Sequence, residues 1–339
     1  MVAPVFIWCL VFWAYAYVSI VWAQNVSFAL AWRSRTIQTI GLVATLSYAM
    51  RDKESALKYM ELLLAANVFA TTLTLLLTPV SSWGTERMGA ATGINSNTLA
   101  MRASYSATFA LFLSLYRKRP LFFLAIIPLV IAVLLSGSRK GILSLAAIPA
   151  LYLLLRDRGF KMVRNVVIVG IMLFAMYQIL RSVPVVYEAL GRRVERLVQY
   201  MTGEGAGGYS ELERQFYREY AYTMWLQKPV FGWGLNQFAA QMQAIGYSHV
   251  AYSHNNYCEL LACLGLVGFV LYYAYLICMG IRLVKYRHTG NELVPLAIAM
   301  LVVMAINDYG MVSFREIDTW IYLTFLSSVL LQLSKDGSE

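Results

Sequence analysis

Ser253-His254-Asn255-Asn256-Tyr257-Cys258-Glu259 leads directly into an uncharged run from Leu260 to Ile281 that passes Gly265 and Gly268. About 20 apolar residues in a helix cross the roughly 30 Å hydrocarbon core of a bilayer. A polar loop carrying a histidine and two asparagines therefore enters what reads as a membrane helix. Two asparagines followed by Glu259 form a helix start, with Asn256 and Glu259 spaced as a capping box.

Working outward from this stretch, similar apolar runs recur along the 339 residues, separated by short charged loops. The chain is 59% hydrophobic with mean hydropathy +0.58, above the about 45–50% apolar content of a soluble domain. Backbone groups in lipid must be paired within the segment, so helices are expected. The alternating segments of about 10 residues that mark a membrane β-barrel are not visible. The expected fold is all-α, a polytopic integral membrane helix bundle. It has ten spans, at 3–23, 36–50, 57–78, 102–116, 120–136, 141–155, 163–183, 255–281, 293–309 and 316–333. They form a single transmembrane domain over 1–339, interrupted by one long loop at 184–253. Pro128 and Pro149 fall inside two spans and are expected to kink them. No basic region precedes the first run before Arg33, so it reads as a retained span. Cys9, Cys258, Cys263 and Cys278 sit in apolar runs with no CxxC pair and read as packing residues.

The net charge of +10 reads as topology, with no nucleic acid as a partner. The short loops Arg51-Asp52-Lys53, Arg117-Lys118-Arg119, Arg156 to Arg164 and Arg282 to His288 fall on one side of the alternating spans. That side is expected to be cytoplasmic, with both termini. The opposite face departs from the rule in being rich in arginine, including Arg87, Arg139, Arg192, Arg193, Arg196, Arg214, Arg218 and Arg315, with Lys140 and Lys228 its lysines. Arginine in place of lysine suggests planar, bidentate binding of phosphate or carboxylate. The plainer reading pairs the loop arginines with glutamates of the same loop. Arg139, at a helix boundary with no acid near it in sequence, favours the binding reading.

Within the long loop, Gly203 to Gly208 is a flexible break. Glu211 to Gln227 is then expected as an amphipathic helix lying over a cavity mouth. Leu212, Phe216, Tyr220 and Thr223 share one stripe and Arg214 and Arg218 the other side. Lys228-Pro229 ends it, and Phe231-Gly232-Trp233-Gly234 is a tight turn.

The chemistry on this face is limited. No Walker loop, GxSxG or HExxH motif occurs. Asp308 and Asp318 are its only aspartates and no DxD pair exists, so a carboxylate cage for a divalent cation has little to build on. His254, beside a helix N-terminus, feels a positive potential that favours neutral imidazole, able to take a proton or donate a hydrogen bond. The plainer reading is an interfacial histidine at its own helix end. His249 is a second candidate, and His288 sits in a basic loop. Most of the many aromatics read as interfacial belt residues.

These residues resemble the O-antigen ligase and O-antigen polymerase superfamily of bacterial envelope glycosyltransferases. His254-Asn255, nine residues, then Gly265-Leu266-Val267-Gly268 matches the family's H-[NSQ]-x9-G-x-x-G pattern. Ser138-Arg139-Lys140-Gly141-Ile142-Leu143 matches R-x3-L. Arg214 followed by Pro229 and Phe231-Gly232-Trp233-Gly234 resembles the family's arginine, helix, P-x-x-G-x-G order. Arg87-Met88-Gly89 with Asn97-Thr98-Leu99-Ala100 is a fourth, weaker piece. The family usually has about twelve spans, against ten here.

The resemblance implies a metal-independent, GT-C-like transferase of the inner membrane with no cofactor, acting at the periplasmic face. Its donor would be a glycan on undecaprenyl diphosphate. Its acceptor would be a sugar hydroxyl on lipid A-core for a ligase, or on another lipid-linked repeat for a polymerase; transfer to protein is a related option. Arg139 and Arg214 would hold the diphosphate with help from Arg87 and Arg218. His254, beside Asn255, would deprotonate the acceptor or orient the diphosphate. Outside this class, a lipid-linked glycan flippase or an anion transporter predicts charges buried mid-helix and repeat symmetry, and neither is visible. A structural membrane subunit would not need arginines collected on one face.

Overall fold

In a computed structural model the structure describes residues 3–89, 92–192, 195, 199, 202, 209–247 and 251–336. It is all-α: no strand occurs among the described residues, only an isolated bridge between Trp83 and Glu86. The helices are α1 Pro4–Val18, α2 Val26–Leu30, α3 Arg33–Ala49, α4 Lys53–Leu77, α5 Ser96–Tyr116, α6 Leu121–Leu135, α7 Arg139–Arg156 and α8 Phe160–Ser182. They continue as α9 Tyr209–Gln227, α10 Gln237–Ala244, α11 Asn256–Tyr286, α12 Leu293–Asp308 and α13 Ile317–Asp336.

Each of the ten expected spans is a helix, with ends that differ by a few residues. The largest differences are α5, which starts earlier because Asn95 caps it by accepting from the Asn97 amide, and α11, which runs on to Tyr286. Among the described residues, five helical stretches are long and apolar enough to cross a membrane: Pro4–Trp22, Lys53–Leu77, Phe160–Ser182, Asn256–Tyr286 and Ile317–Ser334. Leu121–Leu135 and Leu293–Asp308 are shorter apolar helices. The expected loop helix is present as α9. The short α10 was not legible in the hydropathy pattern; it starts from Asn236, whose backbone is left-handed at φ 58°.

The chain divides into two compact units. One comprises Met1–Ala56, Tyr209–Tyr286 and Met304–Glu339, the other Leu57–Gly208 and Arg287–Val303.

The first unit is built on aromatic packing. Trp8 and Phe12 of α1 meet Tyr272 of α11 and Trp320 of α13, with Trp8 and Trp320 centroids 4.7 Å apart. The indole N–H groups are satisfied by backbone: Trp8 donates to the Leu271 carbonyl (2.8 Å) and Trp320 to that of Phe314 (2.7 Å), as buried tryptophans require. The N-terminal segment is tied in by Gln237, fully buried, whose amide donates to the Asn25 carbonyl (2.8 Å) and whose oxygen accepts from the Asn25 amide (2.9 Å).

In the second unit α5 packs against α6 and α7 through small residues. Ala100, Ala103, Ser104 and Ala107 are all buried, and the Ser104 hydroxyl donates to the carbonyls of Ala100 and Gly141, each at 2.7 Å. Small residues let membrane helices approach closely where no hydrophobic drive exists between them. A Cβ on Gly141 would lie 2.5 Å from the Ala100 Cβ. Gly141→Leu is therefore expected to destabilise by about 1–3 kcal/mol through overpacking. It should be read as a lower melting temperature in detergent, and an unchanged melt would refute this close packing.

Candidate functional site

His254 stands one residue before the cap of α11 with φ 55°. Non-glycine residues in this region cost of order 1–3 kcal/mol and persist where the surroundings over-determine them. Here they do. The Ser253 hydroxyl donates to the Asn255 carbonyl (2.8 Å) and accepts from the Asn255 amide (3.3 Å). The Ser253 amide donates to Glu259 Oε2 (2.7 Å).

This corrects the expected capping pair. Asn255 is the cap, its side-chain oxygen accepting from the Cys258 amide at 3.1 Å. Glu259 closes the box on Ser253. Asn256 points inward instead: its amide donates to Tyr273 Oη (2.8 Å) and to Asp308 Oδ2 (3.4 Å), and its oxygen accepts from the Phe314 amide (3.0 Å). Tyr273 Oη also donates to Asp308 Oδ2 at 2.8 Å. Two adjacent asparagines are indistinguishable in sequence; the inward one is chosen by the buried Asp308 that only the fold supplies.

The His254 ring lies 4.0 Å from that of Tyr252 and stacks, offset, on Tyr217 of α9 (6.2 Å, 11°). Tyr217 is buried and its hydroxyl donates to Glu213 Oε1 at 2.7 Å. The buried face of α9 is Tyr217, Ala221 and Met224, while Leu212 and Phe216 are exposed. This overturns the expected stripe. The two stripes sit about 100° apart on a helical wheel, and an aromatic-rich helix offers both; packing selects the one with the small Ala221. Arg214 and Arg218 border the buried face. The Arg218 guanidinium lies over the Tyr309 ring at 5.6 Å. Burial raises the Tyr252 phenol above its ordinary range, opposed by the positive charges of Arg315 and then Arg214.

The structure also explains the motif spacing. Nine residues from Asn256 to Leu264 form a short upper helix of about 13 Å, ending where Gly265 leaves helical geometry (φ 65°, ψ −169°). Loop Pro229–Gly234 inserts at this break. Trp233 and Gly234 amides donate to the carbonyls of Ala262 (3.0 Å) and Cys263 (2.7 Å). Leu266 and Val267 amides donate back to Pro229 (2.9 Å) and Val230 (3.1 Å). A broken membrane helix is tolerated where neighbouring groups re-satisfy the freed backbone. The Leu264 carbonyl is taken by Tyr15 Oη at 2.9 Å, and Gly268 leaves room for the Tyr15 ring. Thus the H-N-x9-G-x-x-G and P-x-x-G-x-G stretches are two halves of one backbone interlock.

Arg315 escaped the sequence reading as a site residue. Its guanidinium bonds Glu259 Oε1 (3.2 Å) and lies over the rings of Trp32 (4.1 Å) and Tyr252 (5.1 Å).

Arg139 and Arg87 belong to the second unit. Arg139 opens α7 behind Ser138, whose hydroxyl caps the helix by accepting from the Gly141 amide. Arg87 reaches the same turn: its Nε donates to the Ser136 carbonyl (3.4 Å) and Nη2 to Asn97 Oδ1 (3.0 Å). The second and fourth sequence pieces therefore meet. The plainer reading holds for Arg192, paired with Glu188 at 2.7 Å. His288 lies beside Arg158 and Arg287, held below the ordinary histidine range by desolvation and then by their charges. His249, Arg193, Arg196 and the Gly203 to Gly208 break lie outside the described residues.

Fold and site together define a multi-pass, all-α membrane protein with an arginine- and aromatic-lined histidine turn at the head of a broken helix. Residues 122–273 match the family model described as Wzy_C, O-antigen ligase. The matched span, rather less than half of the chain, is similar to that family and contains Arg139, Arg214, His254, Gly265 and Gly268. No curated protein matches the chain.

Proposed function

We propose that this protein is an O-antigen ligase. It transfers a glycan from undecaprenyl diphosphate to a sugar hydroxyl of lipid A-core at the periplasmic face of the inner membrane, without a metal. The observation that carries this reading is the His254 turn, built into the interlock of the family's two motifs and flanked by Arg214, Arg218 and Arg315.

The reaction breaks the bond between the anomeric carbon and the diphosphate and forms one from the acceptor oxygen to that carbon. The bonding pair leaves with the diphosphate, and the acceptor proton passes to His254. Charge that builds on the leaving diphosphate is met by Arg214 through charge-assisted bonds, with Arg218 assisting; Arg139 and Arg87 keep the diphosphate-binding role that the resemblance implies for them. His249 stays a proposed substrate contact. Tyr252, part-exposed beside His254, offers a ring face to sugar C–H surfaces.

The test is a lipopolysaccharide gel from a strain lacking this protein. A ligase predicts core without any O-antigen, with polymer held on the lipid carrier. Core bearing a single repeat would make the protein a polymerase. An unchanged ladder would overturn both and favour transfer of another glycan, or transport.

A further inference from the structure

We propose that Arg315 is a positioning residue for His254, acting through Glu259 and Tyr252. The reaction it serves rests on the transferase reading above, while the geometry lies wholly within the first unit.

Arg315 reaches His254 by two routes. The first is along the backbone: Arg315 Nη1 donates to Glu259 Oε1 (3.2 Å), Glu259 Oε2 accepts from the Ser253 amide (2.7 Å), and Ser253 closes the turn that holds His254 at φ 55°. The Glu259 side chain is only 1% exposed. A carboxylate buried to that degree needs a paired charge and hydrogen bonds to stay ionised; Arg315 is that charge. The second route is through rings. The guanidinium lies over Tyr252, whose ring meets the His254 imidazole at 4.0 Å, and its position is shared with Trp32 at 4.1 Å.

Arg315 is itself held in place. The preceding amide, Phe314, donates to Asn256 Oδ1 (3.0 Å), and Asn256 is fixed by Tyr273 and Asp308. Such a satisfied buried network favours one arrangement. The Arg315 side chain is 12% exposed and its Nη1 is committed to Glu259, which suits a residue acting through a neighbour better than one gripping substrate. A planar fork between two rings is not replaceable by a lysine ammonium.

The experiment uses the full-length protein in lipid nanodiscs, with Arg315→Lys, Arg315→Met, Glu259→Gln and the double variant Glu259→Gln/Arg315→Met. Three readouts are taken: melting temperature, transfer kinetics with a lipid-linked glycan donor, and hydrogen exchange of the 252–256 backbone. Arg315→Lys and Glu259→Gln are expected to fold and to lose about tenfold or more in kcat with donor KM little changed, since an ångström of misplacement can cost on the order of 10²-fold. Exchange at Ser253 should rise in both. The double variant should be no slower than the worse single one, as coupled partners require.

Wild-type kcat and unchanged exchange in Arg315→Lys would overturn the proposal. So would a raised KM at unchanged kcat, which would make Arg315 a substrate contact. Should Arg315→Met fail to fold, the exchange and kinetics of the other two single variants decide. Should the wild-type protein transfer glycan to neither lipid A-core nor a lipid-linked repeat, the transferase reading fails, and the exchange data alone judge the link from Arg315 to the His254 turn.

Discussion

Gly265→Ala is expected to lower the melting temperature and the recovery of folded protein sharply. Gly265 adopts φ 65°, ψ −169°, a region open essentially to glycine alone, where another residue costs of order 1–3 kcal/mol. Space is lacking as well. A Cβ would overlap the Val230 carbonyl oxygen and lie 2.5 Å from the Gly232 nitrogen. Neither is a flexible side-chain tip that can swing away; both belong to the loop whose amides and carbonyls satisfy the broken helix. Overpacking of this kind adds about 1–3 kcal/mol, for a total of roughly 2–6 kcal/mol against a typical stability of about 5–15 kcal/mol. Gly232→Ala meets the same obstacle from the other side, with a Cβ 2.5 Å from the Cys263 carbonyl oxygen at φ 70°. Gly170→Ala is the control, since nothing lies within 4 Å of its added Cβ. Size-exclusion profiles and melting in detergent read the outcome. A Gly265→Ala protein that melts like the wild type would mean that the interlock does not hold the site together.

The interlock also shows where sequence reading stops. The helices were legible because apolar runs and basic punctuation are local signals, and lipid leaves the backbone no choice but helix. The motif glycines were legible as a pattern without a cause. Their cause is four backbone hydrogen bonds between Pro229–Gly234 and Ala262–Val267, and spacing along the chain does not say which backbone meets which. Arg315 was visible as one arginine among many. Its partner Glu259 is 56 residues away, and the rings around it come from Trp32 and Tyr252, so nothing in its neighbourhood of sequence sets it apart. The choice of Asn255 as cap is of the same kind, because Asp308 and Tyr273 decide which asparagine turns inward. For α9 the helix itself was legible, but of two adjacent apolar stripes the buried one was decided by what it packs on.

His254→Asn is expected to leave the fold intact and to lower glycan transfer by about 10²–10⁴-fold, the range lost with a general acid or base. The choice of asparagine separates two effects that alanine confounds. His254 sits at φ 55°, and asparagine is among the residues that tolerate the left-handed region best, so the turn closed by Ser253 and Glu259 survives while the imidazole is gone. His254→Val is the opposite control: a β-branched side chain at positive φ is strained, and lower thermal stability is expected on top of lost activity. If His254 takes the acceptor proton, the acid limb of the pH–rate profile should vanish in His254→Asn and persist in Arg214→Ala. Arg214→Ala is expected to lose on the order of 10²–10³ in kcat by removing a stabiliser of the leaving diphosphate. Arg139→Lys should fail similarly if a bidentate contact is required, because an ammonium cannot match the planar fork. Full transfer by His254→Asn, with protein present at wild-type level, would remove the imidazole from the chemistry and leave the turn as a structural cap of α11.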